Sequence, residues 1–218
     1  WGMPPTIAAR LFKWLLAPSL ALLAVFAAIG KPRGEPAGPY AASIVYFTGL
    51  GFGFISVELA LLQNLTLLLG HPIFTLSVLL FTLLAAGGLG SAISQRVPAA
   101  VACLSVAVLG TIEAIALPRL VLALLPLPMA ARVAVAVALI APLGFAMGMP
   151  FPRGLRSAGR GPLPAPPFYW GLNGIMSVVG SVTTVFVALT LGFQVAMLAG
   201  CACYVAAAQG EPGAGQRL

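Results

Sequence analysis

Residues 40–94 read YAASIVYFTGLGFGFISVELALLQNLTLLLGHPIFTLSVLLFTLLAAGGLGSAIS, and a single side chain in the whole stretch, Glu58, is charged. A bilayer core about 30 Å thick takes roughly 20 apolar residues in a helix. Residues 40–69 are too long for one untilted crossing, and residues 73–94 supply another. Gly70-His71-Pro72 is the natural break between them, because Gly and Pro punctuate helices and the residue before Pro is biased away from helical geometry.

The rest of the chain has the same character. Of 218 residues, 61% are hydrophobic and 7% charged, and mean hydropathy is +1.07. Soluble domains run about 45–50% apolar and about 25% charged, so these few charges cannot coat a water-facing surface. Asp is absent, and the four acids are Glu35, Glu58, Glu113 and Glu211. The net charge of +7 is spread singly between apolar runs, which fits cations flanking membrane spans and not a nucleic-acid site. Cys103, Cys201 and Cys203 lie in apolar stretches and read as small packing residues; the Cys-x-Cys pair lacks further metal ligands. The chain opens on Trp1, which reads as a processed or cut piece of a longer protein.

Working outward, further spans are expected at 11–30, 98–117, 130–149, 168–191 and 193–208, giving about seven crossings. Residues 119–127, bounded by Pro118, Pro126 and Pro128, read as a short interfacial piece. Residues 153–167 read as the longest polar loop, and Phe168-Tyr169-Trp170 as an aromatic cluster at headgroup level. The tail GEPGAGQRL reads as mobile. The expected architecture is an all-α polytopic transmembrane bundle, one domain over 1–218. Counting Lys and Arg by side sets Arg10, Lys13, Arg119 and Arg132 against Lys31, Arg33, Arg96, Arg153, Arg156, Arg160 and Arg217. The second group marks the cytoplasmic side, with the N-terminus outside.

Within lipid, small residues mark where helices approach closely. Candidate contact positions are Gly49 and Gly53, Gly87 with Ser91, Gly90 with Ser94, and Gly144 with Gly148. Asn173, Ser177 and Ser181 fall on one stripe, with Gly180 and Thr184 beside it. Glu58 is the sharpest single residue, since an ionised carboxylate at mid-span costs about 2.5–3.5 kcal/mol on insertion scales. Together with Gln63, Asn64, Asn173 and Ser177 it forms the candidate intramembrane polar site. Glu58 and Asn173 would be its centre, serving either as structural hydrogen bonding or as a proton or substrate site. Glu113, followed by Arg119, reads as interfacial.

Several chemistries find no residues here. One histidine, His71, cannot supply paired haem ligands, and lysines only at 13 and 31 exclude a retinal Schiff base late in a bundle. No G-x-x-x-x-G-K-[ST] occurs, and Gly49-Leu-Gly51-Phe-Gly53 sits inside an apolar helix. No catalytic triad, metal-carboxylate set or cofactor site can be assembled.

Three blocks taken together carry a resemblance: YFTGLGFGFISVELALLQNLTLLLGHPIFTLSVLLFTLLAAGGLGS, then APLGFAMGMPFPRGLR, then FYWGLNGIMSVVGSVTTVFVALTLGF. Over roughly residues 40–208 they resemble the C-terminal membrane region of bacterial spermidine synthase-like multispanning proteins. The matching positions include Glu58, Gln63, His71, Pro72, Gly148, Pro150, Pro152, Trp170, Asn173 and Gly174. That family joins an aminopropyltransferase-like or methyltransferase-like soluble domain to hydrophobic helices. The resemblance implies the membrane architecture but not catalysis, because the glycine-rich loop and acidic residues of the soluble domain are absent here.

The expected role is therefore a non-catalytic membrane module, an anchor, scaffold or accessory subunit beside other membrane proteins or a soluble domain. A small-molecule transporter using Glu58 and the membrane part of a transferase are the alternatives. The Ala-, Gly-, Pro- and Arg-rich composition points to a GC-rich bacterial source and hence to the inner membrane.

Overall fold

The computed structural model describes residues 5–30, 37–159 and 164–210. These residues fold as α1 (Pro5–Ile29), α2 (Ala37–Leu69), α3 (Pro72–Ile93), a 3₁₀ turn (Ser94–Arg96), α4 (Ala99–Leu124), α5 (Met129–Met147), α6 (Pro150–Ala158), α7 (Pro166–Leu191) and α8 (Phe193–Ala208), with no strand among them. Six of the segments are long and apolar enough to cross a membrane. Residues 193–208 form α8, whose rise of about 24 Å falls short of the core thickness. The protein is an all-α polytopic bundle. Lys31, Arg33, Arg160, Arg217 and nearly all of the tail lie outside the described residues.

Two glycines make the tight reversals. Gly70 has φ +77° and Gly192 φ +94°, a region that costs a residue with a Cβ. Their N–H groups close the preceding helices on Thr66 (2.8 Å) and Ala188 (3.0 Å) carbonyls. Pro72 then opens α3, where its missing N–H is no loss.

Two boundaries differ from expectation. Residues 119–124 continue α4 through Pro118 and do not form a separate interfacial piece. Breaking the helix there would leave carbonyls without water or partners, whereas Pro removes a single rung. Residues 153–158, expected as loop, belong to the short helix α6, which Pro150 starts at its first position. The expected aromatic cluster also divides: Tyr169 is fully buried, while Trp170 is exposed and meets the Phe151 edge with ring centroids 5.5 Å apart.

Helix α2 is the hub, packed against α7 and α8 and touching α3, α4, α5 and α6 as well. Around it α3 lies on α5, α4 on α8, and α1 on α7. Outermost α1 holds on by ring stacking, Phe12 on Phe186 at 4.3 Å and Phe26 on Phe168 at 4.9 Å. Its Ala27 carbonyl also accepts from the Tyr40 hydroxyl of α2.

Glycine sets how near the hub's neighbours come. A Cβ on Gly49 or Gly53 would stand 3.0 Å from the α8 carbonyls of Cys203 and Gly200. Gly180 of α7 lies against the Phe52 backbone in the same way, and a Cβ on it would come within 3.1 Å of the Phe52 Cα. On the α3–α5 seam a Cβ on Gly148 would overlap the Gly87 carbonyl, and one on Gly90 the Phe145 carbonyl. The carbonyls that would be struck belong to helix backbones and cannot swing aside. Gly148→Ala is therefore expected to cost about 3 kcal/mol, the upper end of ordinary overpacking. Gly174→Ala, where a Cβ meets nothing within 4 Å, should be neutral or stabilising by up to about 1 kcal/mol. Denaturant titration of both variants in detergent checks the difference.

Candidate functional site

Helices α2 and α7 run parallel, and one polar seam joins them. From one end, Ser43 Oγ and Tyr169 Oη lie 3.0 Å apart, then Asn173 Nδ2 donates to the Phe47 carbonyl at 3.3 Å. Ser177 Oγ follows, with the Gly51 carbonyl at 3.3 Å and the Asn173 carbonyl at 3.0 Å, and Ser56 Oγ meets Thr184 Oγ1 at 2.7 Å. The seam can run this way because Tyr169, Asn173, Ser177 and Thr184 recur at helical spacing. At about 100° per residue, Ser177, Gly180 and Thr184 stay within about 40° of Asn173, while Ser181 is about 80° away. Ser181 accordingly donates to the Val178 carbonyl of its own turn at 2.9 Å.

The expected polar centre of Glu58 and Asn173 does not form. Seam partners are offset by 126–128 residues, so the level of Glu58 on α7 is near Phe186. Phe47, the partner of Asn173, stands about 16 Å of helix rise from Glu58. Glu58 is half-buried and makes no hydrogen bond among the described residues. Gln63 is exposed, and Asn64 Nδ2 turns back to the Ala60 carbonyl at 2.9 Å. Ser177 thus joins Asn173 in the seam, but Glu58, Gln63 and Asn64 stand apart from it.

Glu113 is not interfacial. It lies mid-way along α4, 7% exposed, and its Oε2 has no hydrogen-bond partner among the described residues. One turn earlier, Gly110 receives the Cys201 thiol of α8, which sits where a Cβ would come within 2.6 Å. Ending the fourth span at Pro118 had placed this residue near an end; the helix running on to Leu124 puts it in the middle.

The other positions on which the expected resemblance rested fall at helix starts, at turns and within α7. His71 precedes α3, and its carbonyl accepts from Thr75 N and Oγ1, both at 2.9 Å. Gly148 and Pro150 bracket the turn into α6, and the Pro150 carbonyl accepts from the Tyr46 hydroxyl at 2.6 Å. Trp170 and Gly174 flank Asn173 on exposed parts of α7.

Four contributors escaped sequence reasoning. Tyr46 and Tyr169 are fully buried, and the only signal was a phenol hydroxyl inside an apolar helix, which needs a partner there. Arg132, in the first turn of α5, donates Nε to the Leu127 carbonyl at 2.8 Å, Nη1 to the Leu68 carbonyl at 3.2 Å and Nη2 to the Leu125 carbonyl. It thereby satisfies carbonyls at the ends of α2 and α4. At the opposite end Arg153 Nη1 donates to the Gln95 carbonyl at 2.9 Å. An Arg just inside a helix that follows a Pro-rich turn was the available clue.

The seam's hydroxyls and the Asn173 amide bond to α2 and to one another, and among the described residues no three His, Cys, Asp or Glu side chains gather. No family model, no curated protein and no solved structure matches this chain. The fold and its seam define a class: a multi-pass α-helical membrane protein.

Two outcomes check these assignments. Ser56→Ala and Thr184→Val should each cost about 0.6 kcal/mol, typical of an interhelical bond in lipid. The double variant should cost little more than either, in an unfolding cycle. Glu113→Met, which keeps volume and removes the orphaned oxygen, should stabilise by about 1–3 kcal/mol. Destabilisation in the same titration would show that this carboxyl holds a partner.

Proposed function

We propose that the chain is a non-catalytic membrane module, an anchor or scaffold for other membrane subunits or a soluble domain, resembling the membrane region of spermidine synthase-like proteins and residing in a bacterial inner membrane. The observation that carries this reading is the use made of the polar side chains. Asn173, Ser177, Ser56 and Thr184 tie α2 to α7, and Arg132 ties helix ends together. Groups so committed hold a bundle rigid, as a platform requires; of the four, Asn173 alone also lines a hollow, whereas a transport path would leave several facing one. In the family resembled, the chemistry belongs to a soluble domain, and this module would keep such a domain at the bilayer.

A second reading has one observation in its favour. Glu58 is half-buried, without a hydrogen bond among the described residues, as an intramembrane counter-charge for a small cation would be.

Gentle extraction followed by size-exclusion and mass spectrometry separates the two. The module reading expects a partner at constant stoichiometry and liposome flux no different between wild type and Glu58→Gln. A chain that purifies alone and stable, with flux that Glu58→Gln abolishes, overturns it in favour of transport.

A further inference from the structure

An apolar groove opens on the outer face of the bundle between α2, α3 and α5. It consists of two adjoining hollows of about 300 and 340 Å³ that share Phe54, Met147 and Gly148, the first of them lined also by Asn173 of α7 and Tyr204 of α8. The α3 wall runs from Leu80 to Ser91 and the α5 wall from Gly144 to Gly148, with Phe54 of α2 between them. The groove exists because glycine leaves volume empty: Gly87, Gly144 and Gly148 bring the two backbones together. Gly88 adds nothing outside them, and a Cβ there meets no atom within 4 Å.

Its length and its lower end both point to one kind of occupant. From Leu80 to Ser91 the helix rises about 16 Å, close to half of the about 30 Å hydrocarbon core, the depth of one leaflet. The second hollow continues to Pro150, Phe151 and Pro152, where the chain turns into α6 and meets its first arginines. Arg153 donates to the Gln95 carbonyl at 2.9 Å, and Arg156 lies against the Gln95 side-chain amide, whose oxygen accepts from it once the amide is turned over. Arg96 is the next residue along, and it and Arg156 are exposed. Three arginines, Arg96, Arg153 and Arg156, thus belong to the 3₁₀ turn and the short helix at which the groove ends. The described acids are remote from this level. Glu58 is about 18 Å of rise beyond Tyr46, which bonds Pro150, and Glu113 is about 21 Å beyond Ala99.

We propose that this groove seats one acyl chain of an anionic phospholipid whose phosphate is held by Arg96 and Arg156. Arginine binds phosphate oxygens through paired N–H donors, and a basic pocket between transmembrane helices is a favourable place for an acidic headgroup. The apolar walls give the chain its place, and the cations select the headgroup. The inference needs only the membrane architecture and is independent of whether the module anchors or transports.

Native mass spectrometry of the full chain in detergent, with phosphatidylglycerol or phosphatidylcholine of matched acyl chains, tests it. Wild type should retain one phosphatidylglycerol at least ten-fold more strongly than phosphatidylcholine, and added salt should narrow the gap. Arg96→Gln with Arg156→Gln should cut that preference at least five-fold, weakening phosphatidylglycerol far more than phosphatidylcholine, whose choline cation already offsets the phosphate charge. Gly88→Leu should fill the groove and remove the retained lipid, and Leu84→Trp should do the same from a second wall position. Gly174→Leu, on open surface outside the groove, should change nothing. Equal retention of the two lipids overturns the proposal, as does undiminished phosphatidylglycerol binding in folded Gly88→Leu and Leu84→Trp. Displacement of the lipid by inorganic phosphate alone would overturn the role of the groove. A lipid-free dimer that Gly88→Leu dissolves would give the groove to a second copy and overturn the proposal too.

Discussion

In hydrocarbon no water is available to satisfy a backbone group or to be released when helices meet, and every feature of this bundle answers to that. Helices must complete their own hydrogen bonds and must adhere by close approach and a few polar contacts. The hub α2 meets both demands. Gly49 and Gly53 let it lie against α8, and Gly51 and Gly180 let it lie against α7. Without those four positions the surrounding helices would stand off by a side chain, and the seam hydrogen bonds could not form.

The same constraint sorts the polar residues into two kinds. Ser43, Ser56, Asn173, Ser177 and Thr184 find partners on the neighbouring helix. Others, such as Thr66 and Asn64, turn back on carbonyls of their own helix. Among the described residues Glu58 and Glu113 do neither. A carboxyl left over in such an interior costs stability. At the helix ends arginine takes over the work of water: Arg132 closes carbonyls of α2 and of the α4–α5 connection, and Arg153 joins α6 to the end of α3.

How much of this was legible depended on range. The break at Gly70-His71-Pro72 was readable because positive φ and the loss of an N–H are properties of single residues. The end of α4 was misjudged because Pro118 was weighed as a local breaker, while the cost of stopping there is set by the surrounding lipid. That error moved Glu113 from the middle of a helix to its end. The helix α6 was hidden for the opposite reason: its Pro and Arg content has the composition of a loop, and its packing against α2, α4 and α7 settles its form. The pairing of Glu58 with Asn173 failed because composition identifies polar residues without their register, and the parallel α2–α7 offset sets Asn173 at Phe47.

By itself, then, the sequence determined the solvent, the all-helical class and the small-residue faces on which helices could meet. Those follow from hydropathy, from the length needed to cross a bilayer and from the absence of a Cβ. Only the tertiary structure decided which faces meet, which hydroxyls pair and which carboxyl oxygen is buried without a hydrogen bond among the described residues. Register between helices remote in sequence is a property of the packed bundle: each seam contact spans more than a hundred residues, and no local pattern specifies it.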